Sequence, residues 1–320
     1  MSKMLLLREC GAQVEGFCLV KSASVRTDSK GGVYVDFVLS DAGGECVAKL
    51  WNYSPQSHGR FDTDDVIKVR GTINIYKDTE QLKIEKIRPA NEGDEIDMSR
   101  LVPCAPIDPE EIYDRLYKQA ESFRDNELAK LVTRLMDENK QKLLYFPAAV
   151  KLHHAYRSGL LHHTWSVCRL ALSIANLYPK LNKELLTAGA ILHDIGKIYE
   201  MDTGRLGLAG AYTAEGQLVG HIQLGIDMLR RTADELNTPE ETVLMLEHML
   251  LSHHGQPDFG SPKYPMFPEA EILSQSDLID ARLFEMYNVL SSVAPGGFSE
   301  RVWSLDNRML YRARNSGSEE

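Results

Sequence analysis

The hydrophobic period of this chain changes once, and that change limits the folds open to it. Before about residue 90, apolar side chains alternate with polar ones: Val33, Val35, Phe37 and Leu39 against Tyr34 and Asp36, then Ile67, Val69, Ile73 and Ile75 against Lys68, Arg70, Asn74 and Tyr76. Alternation of this kind gives a strand one buried face. SKGG, DAGGE and KDTEQ supply hairpin or loop chemistry between the runs, and Gly71 inside a strand pattern predicts a bulge or a sharp bend. Four or five short, curved strands in about 80 residues fit a small barrel of the OB type, because a sandwich would want more strands.

The segment RPANEGDEIDMSRLVPCAPID, 88–108, is rich in proline and acidic residues and has no sustained period. The expected organisation is a barrel over 1–92, a linker over 93–108 and a second domain over 109–320. Asp108, Pro109 and Glu111 offer an N-cap, a proline at the first helical position and a capping-box carboxylate. Beyond them the pattern is helical: Leu128, Leu131, Val132, Leu135; Val167, Leu170, Ala171, Ile174; Leu244, Met245, Met249; Leu278, Ala281, Leu283. No useful strand alternation follows, so the larger domain is expected to be all-α.

Composition narrows the class further. A hydrophobic fraction of 43% and a charged fraction of 26% are ordinary for a globular chain and exclude a largely disordered one. The apolar run in MSKMLLLREC is four residues, short of a signal-peptide core or a membrane span, so no membrane partner is expected. Cys10, Cys18, Cys46, Cys104 and Cys168 form no Cys-x-x-Cys pair, which points to a reducing cytoplasm. The formal net charge of -10 argues against nucleic acid only until it is divided. Residues 1–92 hold 13 Lys+Arg and 13 Asp+Glu, so the whole deficit lies beyond them.

Histidine is the uneven ingredient: nine of ten lie between His153 and His254. A lone buried histidine is more often a satisfied core residue, but a cluster with carboxylates suggests a metal site, because neutral imidazole is a common transition-metal ligand. His163 precedes Val167, Leu170 and Ile174 at helical spacing, which turns it inward. The apolar run Leu185 to Leu192 ends in His193-Asp194-Ile195-Gly196-Lys197, with Gly196 suited to a left-handed C-cap. Adjacent helical positions diverge by about 100°, so His193 and Asp194 reach one ion only in the wedge between them, leaving one Asp194 oxygen free for a second. His221, His253, His254 and Asp277 follow in VGHIQLG, LLSHHGQ and ILSQSDLIDA.

These residues carry a resemblance. His163-Thr164, His193-Asp194 with Gly196-Lys197, and the distal Asp277 resemble the HD superfamily of metal-dependent phosphohydrolases, a helical fold. His221 and His253 match its two-metal variant. The ordered run GLLHHTWSV, ILHDIGK, LVGHIQLG, LSHHG and SDLIDAR behind an OB-like domain is similar to the YhaM family of bacterial 3′-to-5′ exoribonucleases. That resemblance implies His163, His193, Asp194 and Asp277 at one metal, with Asp194 bridging to a second held by His221 and His253, and His254 as the alternative to His253. It implies manganese, although imidazole and carboxylate ligands also suit iron or another first-row metal. His153 and His154, upstream of the motifs, are expected to support the site without ligating.

Two divalent ions would lower the pKa of a water and polarise phosphoryl oxygens, which is what phosphodiester hydrolysis needs. Lys197 then has two readings, as a cation facing the developing phosphate charge or as one answering a helix C-terminus. On the barrel, Lys49 with Trp51, Lys68 with Arg70 and Tyr76, and the outward Tyr34 place aromatic rings among cations, a pattern suited to single-stranded nucleic acid. A solvated face, with Trp51 closing the barrel bottom, is the plainer alternative. The leading reading is an exonuclease that releases nucleoside monophosphates from single-stranded RNA, with single-stranded DNA as a further substrate. A phosphohydrolase of small nucleotides or cyclic dinucleotides is one alternative, and a DNA-binding protein with a relic HD site is another. Self-association is left open.

Overall fold

A computed structural model describes residues 4–10, 13–76, 79–91, 93–150, 154–204, 206–256 and 260–314. The chain divides into a first unit that runs to Cys104 and takes in 204–206, and a second that holds the rest.

In the first unit β1 (Gln13–Thr27), β2 (Val33–Asp41), β3 (Gly44–Trp51), β4 (Val66–Tyr76) and β5 (Thr79–Pro89) close into a barrel in the order β1-β2-β3-β5-β4. Every neighbouring pair is antiparallel except β3 with β5. This is the OB-like arrangement expected from the strand count. The alternation works as a core: Val35, Phe37, Leu39, Ala48, Leu50, Ile67, Val69, Leu82 and Ile84 are buried together. A short helix, α1 (Leu5–Cys10), packs on β1. Its first turn is fixed by Asp41, whose carboxylate accepts the Leu5 and Leu6 N–H groups, each at 2.9 Å. A second short helix, α2 (Pro55–His58), lies between β3 and β4.

The bulge expected at Gly71 is present, since the β4 to β5 pairing shifts between Arg70 and Gly71. A Cβ at Gly71 would stand 2.3 Å from the Lys83 carbonyl oxygen, so the close approach of β5 requires glycine there. Ile75 departs from its alternation: it is 76% exposed. Its rung pairs only with Glu80, beyond the last rungs that β1 and β3 contribute, so no neighbouring strand covers it.

The second unit is built from α3 (Pro109–Glu121), α4 (Asn126–Leu143), α5 (Gly159–Ala175), α6 (Lys183–Leu192), α7 (Lys197–Glu200), α8 (Ala214–Leu218), α9 (His221–Leu236), α10 (Glu240–Ser252) and α11 (Pro268–Ser291). Asp108 caps α3 by accepting the Glu110 N–H at 2.9 Å, while Glu111 pairs with Arg115 one turn on. The all-helical expectation needs one correction, because β6 (Met201–Thr203) and β7 (Ala209–Tyr212) form a small antiparallel sheet. Strands of three and four residues are too short to leave an alternation in the sequence.

A second difference lies on α11. Leu278 and Leu283 are 37% and 46% exposed, and the buried side of the helix is Ala270, Leu273, Ser274 and Ser276. Asp277 and Asp280 lie further along the same helix, and burial there follows the polar cluster described below more than hydropathy. After α11 the chain turns back, with bridges between Phe298 and Tyr311 and between Val302 and Arg308. Arg312 Nη1 donates to the Leu290, Ser291 and Val293 carbonyls, at 3.2, 3.3 and 2.8 Å, and so caps the C-terminus of α11. Among the described residues no helix is long and apolar enough to cross a membrane.

Candidate metal centre

The helical unit brings its histidines to one buried place by packing helix ends around Asp194. α6 is apolar on every side, with Leu185 through Leu192 all buried, and it delivers His193 and Asp194 at its C-terminal end. His163 is the fifth residue of α5, one turn before Val167, and is fully buried. His221 is the first residue of α9, His253 and His254 follow α10, and Asp277 lies on α11.

Gly196 is not the left-handed C-cap expected from the sequence: its φ is −64° and its ψ −18°, ordinary right-handed values. The reason for glycine is space. A Cβ there would lie 2.0 Å from the His221 carbonyl oxygen and 2.6 Å from the Gly225 nitrogen. The first turn of α9 therefore rests directly on residue 196, and this contact carries His221 to Asp194.

The two oxygens of Asp194 face different partners. Oδ2 lies 3.5 Å from His163 Nε2, 3.4 Å from His193 Nε2 and 2.7 Å from Lys197 Nζ. Oδ1 lies 3.5 Å from His221 Nε2 and 3.6 Å from His253 Nε2. On the first side Asp277 Oδ1 is 3.1 Å from His163 Nε2 and 3.9 Å from His193 Nε2. On the second side His254 joins Asp194, His221 and His253, their ligand atoms all within 4.8 Å of one another. The sequence left His253 and His254 as alternatives, and both are here.

The remaining ring nitrogens are already engaged. Nδ1 of His193 donates to the Ala190 carbonyl at 2.8 Å and that of His253 to the Leu250 carbonyl at 2.7 Å. His163 Nδ1 donates to Asp280 Oδ2 at 2.8 Å, and His221 Nδ1 to Glu200 Oε1 at 2.9 Å. With Nδ1 carrying the proton, the Nε2 atoms of His193, His221 and His253 present lone pairs to the centre. Asp194 Oδ1, His221 Nε2 and His253 Nε2 are buried without a hydrogen bond. Such atoms are costly unless a cation satisfies them, so the donor set fits divalent metal.

The electrostatics agree. Burial opposes charge on His163, yet hydrogen bonds to Asp194, Asp277 and Asp280 outweigh it and raise its pKa well above the usual imidazole value. Burial likewise works against Asp194, but Lys197, His193 and His163 hold its carboxyl well below the normal range. Lys197 is buried against its own charge and kept cationic by Asp194. Its ammonium meets this carboxylate at 2.7 Å. Burial and the neighbouring His253 push His254 down to about 3, and His253 is lowered mainly by burial, which leaves both imidazoles neutral and ready to ligate.

Sequence reasoning missed three supporting residues, Asp280, Tyr156 and Glu200. Asp280, one turn beyond Asp277, accepts from His163 and, at 2.9 Å, from His154 Nε2. Tyr156 donates its hydroxyl to His154 Nδ1 at 2.6 Å and accepts from His162 Nδ1 at 2.7 Å. The spacing of Asp280 from Asp277 was a usable signal, whereas Glu200 carried none. His153 lies outside the described residues.

On the barrel, Tyr34 and Trp51 oppose each other across β2 and β3 and stack with ring centroids 4.7 Å apart. Lys49 Nζ stands over both rings, 5.0 and 5.7 Å from their centroids. Trp51 is 41% exposed and so does not close the barrel bottom. Lys68 and the exposed Arg70 lie on β4, away from that pair, and the Tyr76 side chain is outside the described residues.

Residues 160–282 match the family model described as the HD domain, a span that holds every residue of the cluster around Asp194. The helical unit therefore holds a stretch similar to the HD domain. Solved structures similar to the barrel region include a replication protein A heterotrimer bound to single-stranded DNA, at 16% identity and a TM-score of 0.21, covering 25% of this chain and 59% of that one. Another is the second OB-fold domain of replication protein A from Methanococcus maripaludis, at 16% identity and a TM-score of 0.21, covering 27% of this chain and 88% of that one.

Proposed function

We propose that this protein is a metal-dependent phosphodiesterase that works as a 3′-to-5′ exonuclease on single-stranded RNA, and also on single-stranded DNA, releasing nucleoside monophosphates. One observation carries the metal-dependent part: a single buried carboxylate, Asp194, turns one oxygen to His163 and His193 and the other to His221 and His253. His163, His193, Asp194 and Asp277 would hold one ion, and Asp194, His221, His253 and His254 the other, with manganese the favoured metal. Bound there, divalent cations supply a water of lowered pKa and screening of phosphoryl charge.

The chain's own residues prepare that chemistry. Nδ1 hydrogen bonds hold each imidazole in one tautomer, and Lys197 adds a fixed positive charge beside Asp194 where phosphate charge would develop. Tyr34, Trp51 and Lys49 would stack and hold the bases of a single strand, which keeps a substrate end at high local concentration. The 3′-to-5′ polarity and the preference for RNA rest on the resemblance to the YhaM family.

The test incubates manganese-loaded protein and its Asp194→Ala variant with 5′-labelled single-stranded RNA and, separately, with nucleotides. A ladder of shortening 5′-labelled fragments, absent in the variant, supports the proposal. Nucleotide turnover without RNA shortening would refute it.

A further inference from the structure

The outer face of the barrel holds a row of cations that continues from the aromatic pair. The strand ladder sets Lys49 on β3 beside Lys83 on β5. On β4, Thr72 opposes Lys83, Arg70 opposes Lys86, and Lys68 opposes Arg88. The last two cations are engaged within the barrel: Lys68 Nζ is 3.4 Å from Glu15, and Arg88 makes paired 2.6 Å hydrogen bonds to Asp94. Lys83, Lys86 and Arg70 make no ion pair among the described residues. Arg70 and Lys86 line a cleft of about 480 Å³ whose acidic residues are Glu15 and Glu85. Residues 1–92, of zero formal charge, have thus gathered three uncommitted cations on adjoining strands, and the first of them, Lys83, pairs with the Lys49 that covers the stacked rings of Tyr34 and the exposed Trp51.

We propose that a single nucleic-acid strand crosses β3, β5 and β4, with bases on Tyr34 and Trp51 and backbone phosphates against Lys83, Lys86 and Arg70. This rests on the nucleic-acid reading of the barrel and gives it a path. Adjacent strands are about 4.8 Å apart, and Lys49, Lys83 and Arg70 put one cation on each of three adjoining strands, with Lys86 beside Arg70. The test is fluorescence anisotropy of the full chain with a labelled single-stranded oligonucleotide, in chelator and over a salt series. Lys83→Gln/Lys86→Gln should weaken binding about tenfold and flatten the log-affinity against log-salt slope by about 1.4, at 0.7 per lost phosphate contact. Trp51→Ala should weaken binding with the slope kept, and Lys118→Gln/Lys180→Gln, an equal charge loss on the helical unit, should change neither. A wild-type slope in Lys83→Gln/Lys86→Gln overturns the path. Absence of any binding by the wild type would instead sink the nucleic-acid reading itself.

A second arrangement, independent of the barrel, repeats on both sides of Asp194. On each side one imidazole is oriented by a backbone carbonyl, Ala190 for His193 and Leu250 for His253. A second imidazole on each side is oriented by a carboxylate, Asp280 for His163 and Glu200 for His221. Both carboxylates are themselves pinned, Asp280 by His154 at 2.9 Å and Glu200 by the His221 backbone N–H at 3.0 Å. We infer that Asp280 and Glu200 are positioning residues, each serving one ion, and this rests on the two-ion reading of the site. A carboxylate behind a ligating imidazole fixes its tautomer and raises its basicity. Calorimetric titration of metal-free protein with manganese should show two ions in the wild type. Asp280→Asn should weaken one binding event 10- to 100-fold, Glu200→Gln should weaken the other by a similar factor, and melting temperatures should stay close to wild type. Equal loss of both events in either variant, or no change in either, overturns the assignment, whereas a wild type that binds no ion overturns the two-ion reading.

Discussion

At Gly196 a hydrogen stands where a methyl group would meet the His221 carbonyl oxygen at 2.0 Å. Backbone cannot yield there as a flexible side chain would, so Gly196→Ala should push the first turn of α9 away from Asp194. Overpacking of this kind costs about 1 to 3 kcal/mol, and the urea midpoint should fall accordingly, together with the affinity of the ion held by His221. A midpoint and manganese isotherm equal to wild type would show the contact to be loose. His163 makes a second prediction at this scale. Its raised pKa means that the metal-free imidazole carries a proton at pH 7, and ligation must displace it. Manganese affinity should therefore fall as pH is lowered, and the binding enthalpy at pH 7 should vary with the ionisation heat of the buffer. An enthalpy independent of buffer would contradict the charged state of His163.

Among the elements, β2 and β3 matter most for substrate. Trp51→Ala removes a ring stacked on Tyr34 and covered by Lys49, and a stacked base is worth roughly 1 to 3 kcal/mol. The apparent KM for single-stranded RNA should rise by about that factor while turnover of a small chromogenic phosphodiester stays the same; equal losses on both substrates would make the ring a structural one. The strands themselves were legible because each buries one face, so Val35, Phe37, Ile67 and Val69 announced the barrel and Gly71 its bulge. The cluster around Asp194 was legible too, because ligating residue types ended an apolar helix. What escaped depended on packing across the chain. Gly196 answers to α9 and not to its own helix end, Glu200 meets His221 from 21 residues away, and β6 and β7 are too short to show a period. On α11, Leu278 and Leu283 are partly exposed because the helix turns Ser274, Ser276 and Asp277 toward the interior.

For the whole molecule, the acidic total of -10 is the sum of a neutral barrel and an acidic helical unit. Divalent ions at Asp194 and Asp277 would turn part of that deficit into a positive centre for phosphate. Chelation should consequently loosen one unit and spare the other, since each has its own core. A ligand at a thousand times its dissociation constant contributes about 4 kcal/mol, so hydrogen exchange after chelation should quicken in α6 and α9 and stay unchanged in β2 and β3. Uniform quickening in both units would contradict this. The central claim, that Asp194 bridges two ions, is tested most directly by anomalous diffraction from crystals grown in manganese. Two anomalous peaks are expected, one at each oxygen of the Asp194 carboxylate, with His163, His193 and Asp277 around the first and His221, His253 and His254 around the second. A single peak, or peaks that survive unmoved in Asp194→Ala, would contradict it.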